Sequence, residues 1–241
     1  MKTKIIALKL LCIFWIGCTS QNDTKVLVVK AIDADTEAID ISKVPELLEA
    51  QTSLHQISTL NWEAFPYQPK VTFRIGHYNN QIWLRFYITE DHVLATRTKT
   101  NSATHKDSCL EFFIDPKEDG NYYNFEVNAI GTVHLAYGPS IRQRTFISPK
   151  LIQDKIKVSS TMGNTPFEEK TQAQSWEMTM VIPADILIHE TNLELTGLET
   201  RANFYKCGDD STVPHYLSWN PVGTDRPNFH TPEYFGKLIF E

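Results

Sequence analysis

Short runs of alternating apolar and polar residues recur between residues 71 and 240, the period-two pattern of half-buried β-strands. In residues 71–75, Val71, Phe73 and Ile75 share one face, and in residues 81–89, Ile82, Leu84, Phe86 and Ile88 do the same. Tyr78-Asn79-Asn80 between them supplies turn chemistry, so the two runs predict a hairpin. Further strands are predicted over residues 109–115, 122–128, 132–137, 155–161, 175–182, 201–207, 216–219 and 237–240, punctuated by turns at Asp119-Gly120-Asn121 and Ile130-Gly131. Residues 44–50 predict a short helix with Pro45 near its start, and residues 183–188 a helical turn or two. No internal repeat and no low-complexity linker interrupts the pattern. The expected fold is all-β: a single antiparallel β-sandwich or jelly roll with one or two short helices. The polar, strand-poor residues 90–106 read as a long surface loop, a common carrier of binding groups.

A chain of 241 residues can bury a sizeable core as one domain. Its formal net charge of −6 and the lack of a basic stripe exclude nucleic acid as the main partner, because phosphate binding needs clustered Lys and Arg.

The N-terminus carries a separate signal. Lys2, Lys4 and Lys9 precede the apolar run from Leu10 to Ile16, and Gly17 sits directly before Cys18. This is the charged region, short apolar region and small-residue cleavage site of an export signal. The run is too short to span a membrane. Cys18 and the polar tail Thr19-Ser20-Gln21-Asn22-Asp23 resemble a bacterial lipoprotein signal, with Trp15 where Leu is usual; an ordinary secretory signal is the alternative. The expected organisation is a signal peptide over 1–17, a lipidated Cys18 with a tether over 18–30, and a sandwich domain over 31–241. The expected location is outside the cytoplasm, as an outer-membrane, cell-surface or periplasmic lipoprotein held to the membrane by its lipid anchor. Cys109 and Cys207 would then meet an oxidising compartment, as one disulfide or as two buried thiols, and they lack the spacing of a zinc motif.

Strand parity exposes a second pattern. Leu110, Phe112 and Ile114 share one face of their strand, and Glu111, Phe113 and Asp115 the other. Tyr123, Phe125 and Val127 oppose Asn124, Glu126 and Asn128, while Arg201, Asn203, Tyr205 and Cys207 lie together. Each strand thus has a face of carboxylates, amides and aromatics, residues suited to directional hydrogen bonding. A sugar needs this mixture, because its hydroxyls both donate and accept and its C–H faces pack on flat rings. The other reading is a face that simply meets solvent. Trp219, in Ser218-Trp219-Asn220-Pro221 at a strand end, is expected to project from the rim, whereas Trp83 and Trp176 read as packing residues.

These residues resemble the family 9 carbohydrate-binding modules, in particular the exported family-9-like branch of Bacteroidetes-type bacteria. The motifs that carry the resemblance are the segment from Asp107 to Asp115, the run Tyr122-Tyr123-Asn124-Phe125-Glu126-Val127-Asn128, the segment from Arg201 to Asp209, Ser218-Trp219-Asn220-Pro221, and Pro232-Glu233-Tyr234-Phe235-Gly236-Lys237-Leu238. The resemblance implies a β-sandwich that grips the end of an oligo- or polysaccharide by tryptophan stacking and carboxylate hydrogen bonds, without catalysis. Glu111 matches the family's glutamate and Trp219 one of its stacking tryptophans. The second tryptophan has no counterpart in Asn101-Ser102-Ala103-Thr104-His105-Lys106, where His105 or an aromatic from another loop would substitute. The expected saccharide-binding set is Glu111, Trp219, Asn128, Asn203, Glu126 and Arg201. The resemblance also admits structural calcium, with no ligands assigned, and partnership with glycan-degrading enzymes.

Two other readings compete. Glu111 and Glu126 on facing strands could lie at the separation of about 5–5.5 Å that a retaining glycoside hydrolase uses. A haem-binding or redox sandwich would draw on His77, His134 or His215 as axial ligands.

Overall fold

A computed structural model describes residues 24–34 and 39–241. The expected export signal and Cys18 lie outside the described residues. The strands run in chain order as β1 (Val26–Ala31), β2 (His55–Gln56), β3 (Thr59–Leu60), β4 (Lys70–Tyr78), β5 (Gln81–Glu90) and β6 (Val93–Ala95). They continue as β7 (Cys109–Asp115), β8 (Tyr122–Asn128), β9 (Val133–Gly138), β10 (Thr145–Phe146) and β11 (Lys157–Ser160). The last are β12 (Phe167–Lys170), β13 (Gln174–Pro183), β14 (Glu199–Cys207), β15 (Tyr216–Ser218) and β16 (Gly236–Phe240). Two helices, α1 (Val44–Gln51) and α2 (Pro149–Lys155), accompany them.

The expected sandwich is observed. One sheet follows the order β10-β9-β8-β7-β14-β16-β1, and the other the order β1-β4-β5-β13-β11. Strand β1 belongs to both: Val26–Val29 pair with β16, then Lys30 and Ala31 pair with β4. Both pairings are parallel, so the sandwich is mixed along β1 and antiparallel elsewhere along both orders. The tether expected over 18–30 therefore gives way to the fold at Val26, where Leu27 and Val29 already enter the core. The β4–β5 hairpin turns at Asn79 and Asn80, with φ of 45° and 57°, the doubly left-handed geometry that suits the twist of antiparallel strands. The expected loop over 90–106 also carries β6, which pairs with β12.

The predicted apolar faces meet between the sheets. Phe112 stacks on Phe204 at 5.0 Å, and Phe204 lies 4.2 Å from Phe73 of the opposite sheet. Trp176 joins this core, and Trp83 packs with Val44 and Leu48 beneath α1, so both are packing residues as expected. The ion pair Lys206–Glu90, at 2.8 Å, spans the sheets with neither side chain exposed. Trp176 Nε1 donates to the other Glu90 oxygen at 2.9 Å.

Trp219 does not project from the rim. It is 4% exposed and joins the inter-sheet core, edge-on to Phe204 at 5.7 Å. Its ring passes so close to Gly236 that a Cβ there would sit 2.3 Å from Cζ3. Its parity explains this: Trp219 follows the buried Leu217, while Tyr216 and Ser218 face the other way, opposite Cys207 and Tyr205. Trp219→Ala should therefore act as a core truncation, lowering stability by about 3–5 kcal/mol in denaturant titration. A loss of saccharide retention at unchanged stability would instead restore Trp219 as a stacking residue.

Candidate functional site

The polar face of the first sheet is largely roofed. Every residue of β7 and β8 is buried. Over this face lies a second apolar cluster, in which Phe113, Tyr122 and Tyr205 meet Trp62, Val222, Phe229 and Phe235 from outside the sheet. The roof is incomplete over one region, leaving a cleft of about 170 Å³. Its lining includes Glu111, Glu126, Cys207 and Tyr216 from the sheet, and His105, Arg144, Asp209, Phe229 and His230 from loops.

The floor is set by register. Glu111 of β7 stands directly opposite Glu126 of β8, and Tyr205 of β14 stands opposite Glu111 on its other side. Two carboxylates are thus neighbours in a nearly dry place, 4% and 1% exposed. They differ in their partners. Glu126 Oε1 accepts from Asn124 Nδ2 at 2.8 Å and has Arg144 Nη1 at 3.6 Å, and its Oε2 accepts from His105 Nδ1 at 3.3 Å. Burial alone would push this carboxyl up, but His105, His134 and Arg144 outweigh it and bring it down to about 2. Glu111 accepts from the Cys207 thiol at 3.0 Å. Burial, reinforced by the neighbouring Glu126 charge, holds its carboxyl well above the usual range. His105 responds to its hydrogen bond with Glu126 and is raised. His230 accepts from or donates to Tyr122 Oη at 2.8 Å, and burial brings it down to about 4.

Local chain geometry positions these groups. Asp107, fully buried, accepts from the backbone N–H groups of Thr96 and Arg97, from Asn128 Nδ2 and from Arg97 Nη1, anchoring the loop that carries His105. At Gly138, with φ of 155°, a Cβ would meet the Gln143 carbonyl at 2.3 Å and Arg144 Cα at 2.8 Å. That close approach folds the β9–β10 loop back so that Arg144 reaches Glu126.

Of the expected binding set, Glu111 and Glu126 line the cleft, and the others do not. Asn128 holds Asp107 and the Arg97 carbonyl. Asn203 pairs with the backbone of Asn220 in both directions. Arg201 donates to the carbonyls of Phe235 and Glu233. These three brace the roof, and Trp219 belongs to the core. His105, foreseen as a substitute for the missing tryptophan, does line the cleft, whereas Arg144, Asp209, Tyr216, Phe229 and His230 were not foreseen. Tyr216 was accessible by parity with Ser218; Arg144, Phe229 and His230 come from loops, where parity gives no signal. The haem reading finds its histidines engaged: His77 with the Glu241 carbonyl, His134 with the Ser102 carbonyl, and His215 with Lys206 and the Val213 carbonyl. Of the two alternatives for Cys109 and Cys207, the structure has buried free thiols, not a disulfide.

The sequence profile of carbohydrate-binding family 9 matches residues 42–240. The chain belongs to carbohydrate-binding family 9. A structure of a proposed carbohydrate-binding protein from Bacteroides uniformis is 36% identical, with a TM-score of 0.86 over 90% of this chain and 100% of that one. A family 9 module of Caldicellulosiruptor kristjanssonii in complex with glucose is 12% identical, with a TM-score of 0.55 over 90% of this chain and 96% of its own. The same organism's module with cellotriose gives 12% identity and a TM-score of 0.53 over 90% and 94%. These two share the fold. No curated protein matches the chain. In this family 9 member, the cleft's ion pair makes a stability prediction. His105 is raised above its ordinary 6.5, so its contribution is full below pH 6.5 and is lost as pH rises through its folded value. Glu126, depressed from 4.5, contributes above pH 4.5 and loses its share as pH falls towards 2. Glu111 has the opposite sign, costing stability as pH rises above 4.5. In thermal unfolding between pH 6 and 9, His105→Gln should therefore show a smaller alkaline decline than wild type; equal slopes would refute the His105–Glu126 coupling.

Proposed function

We propose that this protein is exported and binds a saccharide in the cleft over Glu111 and Glu126, with no chemistry of its own. The observation that carries this reading is the pairing of two differently poised carboxyl groups at the floor of one cleft in a family 9 member. A protonated Glu111 donates a hydrogen bond and an ionised Glu126 accepts one, which together match neighbouring sugar hydroxyls. Phe229 and Tyr216 supply flat surface for the C–H faces. The glucose and cellotriose held by the Caldicellulosiruptor modules make neutral hexose chains the first ligands to try. A captured glycan would pass to glycan-degrading enzymes or an importer beside it, and a lipid on Cys18 would hold the protein at the membrane where they work.

Each charge-assisted hydrogen bond to the sugar is worth about 1.5–3 kcal/mol, and association entropy opposes them. The expected dissociation constant lies from about micromolar to millimolar. A glycan array should show retention of one saccharide class by wild type. In calorimetry with that saccharide, Arg144→Ala and Glu126→Gln should each weaken binding by roughly tenfold or more. An array with no retained glycan, or unchanged binding in both variants, would sink the reading.

The glycoside hydrolase reading retains one specific observation. The Glu111 carboxyl is pushed well above the usual range by burial and that of Glu126 down to about 2, an offset in the direction that separates an acid from a nucleophile. If it holds, incubation with soluble oligosaccharides yields shortened products, and Glu126→Gln abolishes them. Intact oligosaccharides after prolonged incubation would leave binding alone.

A further inference from the structure

Two thiols and a carboxyl group converge beneath the cleft. Cys109 of β7 is the register partner of Cys207 of β14, and Glu111 lies two residues along β7, on the same face. Their sulfur and oxygen atoms all lie within 4.8 Å of one another, and all three side chains are buried. Cys207 and Glu111 border the cleft, and Cys109 lies behind them in the roofed cluster. Among the described residues, this is the group of metal-capable side chains that comes together. It does not suit the calcium that the family resemblance admits, because calcium takes an all-oxygen shell and thiols are poor ligands for it.

We propose that Cys109, Glu111 and Cys207 form a binding site for a thiophilic divalent cation, with Zn²⁺ the best match. Two thiolates and one carboxylate are ligands that zinc accepts in tetrahedral geometry. A tetrahedral ion holds such ligand atoms roughly 3.5–3.8 Å apart; Cys207 Sγ and the nearer Glu111 oxygen stand at 3.0 Å and would open slightly, and no pair of ligand atoms is more than 4.8 Å apart. The carriers are adjacent strands, and the three side chains can close by rotamer adjustment without moving the backbone pairing. The three ligands occupy one side of the ion. The remaining position faces the cleft, where Cys207 and Glu111 open onto it, and water or a ligand oxygen would complete the shell. Binding releases the protons of both thiols and of Glu111, leaving one net negative charge on the site, with the Arg144 guanidinium across the cleft to offset it. One Glu111 oxygen on the metal leaves the other for a saccharide hydroxyl. The proposal does not rest on saccharide binding.

The test is a titration of the purified protein, reduced and stripped of metal, with Co²⁺. About one equivalent should produce thiolate-to-cobalt charge-transfer absorption in the near ultraviolet with the visible bands of tetrahedral cobalt, and Zn²⁺ should bleach both. Cys207→Ser should weaken the charge-transfer band by about half or more, and Glu111→Gln should weaken Co²⁺ binding by roughly tenfold or more while retaining the band. Circular dichroism of each variant separates lost ligation from lost folding. A wild-type titration without charge-transfer absorption overturns the proposal, whatever the variants do. So does a band that survives in the Cys109→Ser/Cys207→Ser double variant. Oxidation of the reduced Cys109 and Cys207 thiols in air at the same rate with and without excess Zn²⁺ overturns it as well, since bound zinc would protect them.

Discussion

The structure depends on a sheet that is covered on both faces. An antiparallel sheet commonly leaves one face to water, and its polar residues then need no partner. Here β7 and β8 are buried along their whole length, with the inter-sheet core on one side and the aromatic roof around Phe113, Tyr205, Phe229 and Phe235 on the other. Every polar side chain on the roofed face must therefore find a protein partner or open onto the cleft, since an unpaired buried polar group costs a few kcal/mol. Asn128, Asn203 and Arg201 meet this demand by bonding backbone groups of the loops that form the roof and its supports. The same residues that look like a ligand-binding surface in one dimension are thus the fasteners of the cover that makes the cleft.

Burial of charge is handled in two ways. Lys206 points from β14 into the inter-sheet core, beside Leu110 in register, where an unpaired ammonium would be untenable. Glu90 at the end of β5 meets it from the other sheet, with Trp176 and His215 as further partners. Such a pair contributes little net stability against an apolar replacement, but removing one partner is costly, so it fixes how the sheets are placed over one another. At the cleft floor, Glu126 gathers His105, Asn124 and Arg144, which lower its carboxyl, while Glu111 has only the Cys207 thiol and burial raises its carboxyl well above the usual range.

Strand parity made much of the fold legible. The alternations at Leu110-Phe112-Ile114 and Tyr123-Phe125-Val127 located the core face, and the Asn79-Asn80 turn located the hairpin. Parity also held the answer for Trp219, which shares the face of Leu217; its position beside a Pro- and Asn-rich loop suggested a rim that the chain does not form there. Of the site, the floor was readable because Glu111 and Glu126 lie on strands. The walls were not. Arg144 reaches the floor because of the close approach at Gly138, and Phe229 and His230 because a C-terminal loop crosses back over β7 and β14, and neither contact leaves a local pattern in sequence. Helix α2 was also missed, although Ser148 followed by Pro149 is a recognisable helix start.

The division between Glu111 and Glu126 follows from register together with the loops. Two carboxylates opposed across antiparallel strands cannot both stay ionised in a dry site without counter-charge for each. The loop bearing His105 and the loop bearing Arg144 both close over the β8 side, so Glu126 receives the compensation and Glu111 does not. The β7 side is instead closed by Cys207, Tyr205 and the aromatic roof, which offer Glu111 no positive charge in contact. A floor built this way sets a raised carboxyl, Glu111, beside a lowered one, Glu126, whose charge is already paired. Under the saccharide reading, that arrangement suits an uncharged polyhydroxyl ligand better than an anion, which would meet the Glu126 charge.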